Sequence, residues 1–196
     1  MILLESTLKD APIMGLQSGA EIAHIKQPII DPATLAILAY EAEGQLLDGG
    51  PWILRIADVR ELSDIGFIVD SADELVHPED IIKLNDIYNL HFHVVGKNVT
   101  DEKRRKLGKV IDFTIETGNF VIQQLTVRRP LLKSLNDTEL LIHRSQIIEI
   151  NDDTIVVHSE AKVPEKELHE VVGSYVNPFR KPKSTAPESI DSTRPQ

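Results

Sequence analysis

The chain has 196 residues, 41% of them hydrophobic and 27% charged, with a formal net charge of −10 and no cysteine. This is the composition of an ordinary globular protein holding one domain or two small ones, and it excludes disulfides, thiolate nucleophiles and cysteine-based zinc sites. Residues 174–196 carry four cations and two acids, so the rest of the chain is more acidic than the whole, which disfavours nucleic-acid binding except through a local basic patch.

Residues 1–12 show neither a basic leader region nor a long apolar run, and no apolar stretch approaches the roughly 18 residues that cross a bilayer. A cytoplasmic protein with no membrane partner is expected. From Glu21 the chain reads EIAHIKQPIIDPATLAILAYEA, two apolar runs around a turn sequence, the pattern of a β-hairpin. LLDGGP lacks the lysine of a phosphate loop and reads as a turn before Trp52. That lone tryptophan has two readings, core packing and an interface anchor. RIADVRELSDIGFIVDS then runs from strand through polar turn to β-branched strand. In VHPEDIIKLNDIYNLHFH, Pro78 suits a first helical position and Glu79 and Asp80 suit the positive end. Ile81, Leu84, Ile87 and Tyr88 form one apolar face of a helix of about 10 residues. His91 and His93 alternate, so on a strand they would share a face and could hold a metal with a third ligand; surface histidines flanking Phe92 are the plainer reading.

The second half repeats the first. In KLGKVIDFTIETGNFVIQQLTV, Leu107 stands opposite Ile22, Val110 opposite Ile25, Ile115 opposite Ile30, Phe120 opposite Leu35, Ile122 opposite Ile37 and Leu125 opposite Tyr40. HRSQIIEINDDTIVVHS matches RIADVRELSDIGFIVDS after a small shift, with Glu149 opposite Glu61 and Val156 opposite Ile68. One architecture used twice, at about 75 residues per copy, is expected. A β unit this small manages its edges by curling into a barrel. It is marginal alone, so two copies gain by packing together.

EKRRKLGK is the one dense basic run. Lys103, Arg104, Arg105, Lys106 and Lys109 suit a solvated turn, a docking patch for an acidic partner, or contacts to RNA phosphates, although no aromatic residues are interleaved. Asp58, Glu61, Asp64, Asp152 and Asp153 lie near turns, where they cap backbone N–H groups more readily than they form an acid–base pair. No Ser-His-Asp pattern, nucleophile elbow or phosphate-cradling loop is found. Residues 164–173 read as a short helix, opened by Pro164 and stopped by Gly173. Residues 174–196 hold four of the eleven prolines and read as a disordered tail. In it Tyr175 and Phe179 serve either as a partner-binding motif or as a cap on the barrel.

LGKVIDFTIETGNFVIQQLTV followed by IHRSQIIEINDDTIVVHS resembles the PRC-barrel pattern. That pattern is a Gly-Lys-Val opening, an acid-led turn, an apolar strand and an Asp-Asp-x-Ile-Val-Val hairpin. GLQSGAEIAHIKQPIIDPATLAI resembles it more loosely, with Ala23 where the family has glycine. The resemblance implies a mainly β fold of two small tandem barrels, residues 1–74 and 91–163, joined by a helical linker over 75–90. It also implies docking on another protein. PRC barrels occur in the photosynthetic reaction-centre H subunit, in a ribosome-maturation factor that binds a small-subunit ribosomal protein, and as stand-alone copies. They share no catalytic site, and no cofactor or metal is expected here. The expected function is a non-catalytic cytoplasmic adaptor with a protein partner. The alternative is an RNA-linked factor in ribosome assembly or RNA processing.

Overall fold

A computed structural model describes residues 1–45, 47–130 and 139–158, all within the compact unit Met1–Ser159. Over the described residues the unit is mainly β, with two sheets, one curled into a half-barrel, and one α-helix. Its first half runs β1 (Ile2–Leu4), β2 (Pro12–Gly15), β3 (Ala20–Ile30), β4 (Ile37–Glu43), β5 (Trp52–Arg55), β6 (Glu61–Ser63), β7 (Gly66–Val69), β8 (Leu75–Val76) and α1 (Ile82–Tyr88). The second half runs β9 (Asn98–Asp101), β10 (Lys106–Glu116), β11 (Val121–Arg128), β12 (Glu139–His143), β13 (Ile147–Ile150) and β14 (Thr154–Val157).

The two sheets have one topology. The first is ordered β6-β7-β2-β3-β4-β5-β8 and the second β13-β14-β9-β10-β11-β12, with β1 added on β10. In both, one pair is parallel, β2 with β7 and β9 with β14, while the other pairs are antiparallel; β8, on the edge of β5, has no counterpart in the second sheet. Register is also repeated. Ile30 faces Ile37 as Ile115 faces Ile122, Pro28 faces Tyr40 as Phe113 faces Leu125, and His24 faces Glu43 as Lys109 faces Arg128. β3 and β10 carry bulges at matching places, after Ile25 and Val110. The hairpin turns match too, with Leu35 at φ 60° and Phe120 at φ 49°, a left-handed conformation that the buried position of both side chains holds in place.

One core serves both sheets. Ile25, Tyr40 and Phe67 from the first sheet pack in the same cluster as Phe113, Phe120 and Leu125 from the second. The rings of Phe67 and Phe120 lie 6.3 Å apart. The copies also exchange backbone bonds at equivalent residues. The Ile37 N–H donates to the Phe120 carbonyl at 2.8 Å, and the Ile122 N–H donates to the Leu35 carbonyl at 3.0 Å, on either side of a bridge between Ala36 and Val121. Such a reciprocal contact is what an isologous dimer makes across its two-fold axis; here both partners belong to one chain.

The equivalence extends to the segments before β2 and β9. Leu8 and Val94 are both buried, and Asp10 and Gly96 both have positive φ. The Ala11 N–H donates to Leu8 as the Lys97 N–H does to Val94. These segments are exchanged arms. β1 pairs with β10 of the other copy, along the edge that β9 also occupies. Residues 87–93 in turn lie beside Gln27–Ile30 of the first copy.

Where one helix of about 10 residues is expected, the chain forms a 3-10 turn over Pro78–Asp80 and then the seven-residue α1, with Ile81 extended between them. Leu84, with Ile81, Ile87 and Tyr88 around it, covers Ile29, Ala39 and Ile53 on the outer face of the first sheet. The equivalent residues of the second sheet are Thr114, Gln124 and Leu141, two of them polar, and Leu141 is 52% exposed. The strand expected through His91 and His93 is not formed. His91 turns at φ 47° and Gly96 at φ 92°, and between them Val94 is buried in the core with the half-buried Phe92 packed against it. The expected helix over 164–173 and the expected tail, with Tyr175 and Phe179, lie outside the described residues.

Candidate functional site

The basic run forms the β9–β10 turn and the start of β10, and Lys103, Arg104, Arg105, Lys106 and Lys109 are all exposed. Asp101, 1% exposed, organises the turn from beneath. Its carboxylate accepts the backbone N–H groups of Lys103 and Arg105, both at 2.9 Å, and the Arg105 Nε–H at 2.6 Å. A buried carboxylate holding two backbone donors and a guanidinium makes a set of charge-assisted bonds that fixes the loop. Arg104 sits at φ 59°, where the first copy has Gly19 at φ 64°. The loop therefore keeps a shape glycine would adopt more easily, while presenting an arginine.

Two cations that sequence reasoning passed over join this end of the sheet. Arg128 pairs directly across from Lys109, and Arg129 follows it. Lys109 and Arg128 are exposed and alternate with the inward Val110 and Val127. Arg128 faces Glu139 on its other side. Like charges directly opposite one another in a sheet repel; Glu139 offsets one of the two, and the charge left over favours an anion from outside. The missed signal was register: Arg128 lies far from Lys109 in sequence and meets it only once the hairpin is set.

A second site lies between the arms. A cleft of about 310 Å³ is lined by Glu5, Lys26, Pro28, Val94, Asp112 and Phe113, among others, and both bulged strands contribute to it. The Ser6 hydroxyl donates to Asp112 at 2.5 Å, and the buried Tyr40 hydroxyl donates to Glu5 at 3.3 Å. Burial, with a smaller push from Asp112, raises the Glu5 carboxyl from 4.5 to about 7 against the opposing Tyr40 bond. Burial and then Glu5 hold the Tyr40 hydroxyl well above its ordinary value, so it stays a donor. Lys26 in the same cleft is paired with Asp10 at 3.2 Å and Glu43 at 3.0 Å, and its pKa is raised, chiefly by the bond to Glu43. A carboxyl near neutrality in a cleft is suited to proton transfer. Here Glu5 and Asp112 tie the N-terminal arm to β4 of one copy and β10 of the other.

The remaining candidates are local. Asp58 pairs with Arg55 beneath a 3-10 turn, and the Asp152 carbonyl, with that of Asn151 at 3.0 Å, accepts from the buried Lys97 ammonium. Lys97 also lies over the Phe92 ring at 4.8 Å. Trp52 is partly buried and stacks on His77 at 4.0 Å, with its Nε1–H donating to the Asp48 carbonyl. His93 is at the cleft and His91 packs near Tyr88. Among the described residues no group of three or more His, Asp and Glu side chains is placed to hold a metal, and no helix is long and apolar enough to cross a membrane.

No family model matches the chain, and no curated protein matches it.

Proposed function

We propose that the chain is a non-catalytic adaptor built from two PRC-like barrels, and that it docks on an acidic protein partner through the basic end of its second copy. The finer reading takes each sheet, with its one parallel pair, β2 with β7 and β9 with β14, as one such barrel. The observation that carries the docking reading is the cluster at one end of a sheet of Lys103 and Arg104, on a loop pinned by a buried carboxylate, with Lys106, the directly opposed Lys109 and Arg128, and the half-buried Arg129. A rigid scaffold presenting a preorganised loop is how many docking surfaces are made, because little ordering entropy is lost on binding. The net charge of −10 repels acidic proteins and nucleic acids alike at long range, so binding rests on short-range pairing, and the lack of aromatic residues among these cations favours carboxylates over stacked bases.

Calorimetric titration with polyglutamate and with a single-stranded RNA oligomer, at matched low salt, tests this. Binding of polyglutamate that weakens about tenfold or more in Lys106→Ala/Lys109→Ala supports the adaptor reading. RNA binding with a steep salt dependence, lost in the same variant, replaces it with the RNA-linked role. No heat with either ligand removes the basic end as the docking site.

A further inference from the structure

Because the copies share topology and register, β3 and β4 of the first present the same surface as β10 and β11 of the second. At this surface two cations of the second copy are replaced by acids and the others by a histidine and a glycine. Glu21 stands where the second copy has Lys106, Glu43 where it has Arg128, His24 where it has Lys109, and Gly44 where it has Arg129. Glu21 and Glu43 are exposed, as are Lys106 and Arg128. Lys26 lies between Asp10 and Glu43, so that corner stays net negative. The acidic end is also hollow. A cleft of about 390 Å³ is lined by Glu21, Ile22, Ala23, His24, Gly44 and Gln45, with glycine where the other copy places an arginine.

We propose that the basic end of the second copy docks on the acidic end of the first copy in another molecule, so that the chain associates head to tail. This rests on the reading of the basic end as a docking surface, and names its partner as a second copy of the same chain. The charge complementarity is local, whereas the net charge of −10 repels like molecules at a distance. Association therefore depends on short-range pairing. The surfaces that meet are different ones within each molecule, so the contact is heterologous and does not stop at a dimer unless it closes into a ring. The Asp101-pinned loop supplies the projecting part and the cleft beside Gly44 the receiving part.

Sedimentation velocity of the full chain over a range of concentrations tests this. At low salt the mean mass should rise with concentration past that of a dimer, and it should fall to that of a monomer at high salt. Glu21→Gln/Glu43→Gln removes one end, and Lys106→Gln/Arg128→Gln removes the other. Each variant alone should remain monomeric. Their equimolar mixture should form a dimer and nothing larger, because only one complementary pair of ends survives. The proposal is overturned by a wild-type chain that stays monomeric at low salt, or by association that survives in either variant alone. If the wild type is monomeric yet binds polyglutamate through its basic end, the adaptor reading stands and only self-docking falls. If it binds neither itself nor polyglutamate, both fall.

Discussion

Glu5 shows how position overrides residue type. In the sequence it is one acid among many near the start of the chain. In the fold it lies between two sheets, close to Asp112 and under the Tyr40 hydroxyl, and its carboxyl titrates near neutrality. Its folded pKa lies above its unfolded one, so folding takes up a proton between about pH 4.5 and 7. The contribution to stability is fully present below that window, falls as pH rises through it, and levels off above it. Glu5→Gln should flatten this slope and leave the variant more stable than wild type at pH 8, by about 2 kcal/mol once partial exposure is allowed for. Urea unfolding at a series of pH values measures it, and parallel pH profiles for the two proteins would refute the assignment. Neither Glu5 nor the buried Asp101 was legible in the sequence, because both owe their roles to neighbours that only the fold supplies. The exposed lysines and arginines of the β9–β10 turn were legible, since a dense run of charge at a turn has nowhere else to go.

At the scale of elements, the hairpins could be read directly, though not their register, because turn chemistry and β-branched runs are local signals while cross-strand pairing is not. The helix could be read as an apolar stripe, but not as two pieces, since Ile81 adopts an extended conformation between the 3-10 turn and α1. The arm through His91 and His93 was misread. Its alternation is real, but two positive-φ turns prevent a strand there. The strand crossing at Gly108 shows how the copies solved one steric problem differently. A Cβ on Gly108 would meet the Arg128 carbonyl oxygen at 2.2 Å, whereas the first copy places Ala23 there and puts its glycine on the opposing strand at Gly44. A Cβ on Gly44 would meet the Ile22 carbonyl oxygen at 2.8 Å. Gly108→Ala should therefore destabilise by about 3 kcal/mol through backbone displacement, while Ala23→Gly should cost about 1 kcal/mol in chain entropy. Guanidinium unfolding of both variants distinguishes them, and equal losses would contradict the crossing geometry.

At the scale of the whole molecule, the duplication was legible in the sequence but the mode of association was not. Two tandem units with separate cores would unfold separately. Here the large side chains of both sheets share one cluster, and equivalent backbone groups bond across the Ala36–Val121 bridge. Differential scanning calorimetry should show a single transition with calorimetric and van't Hoff enthalpies in agreement; two resolved peaks would mean independent halves. The exchanged arms carry this interdependence further. A protease that severed the backbone where it passes from one copy to the other would yield two fragments, with β1 of the first still paired in the sheet of the second and both still sharing one core. Neither could leave without unzipping β1 from β10 and laying that core open, so a clipped molecule would hold its shape, and the fragments made apart would become whole only by finding each other.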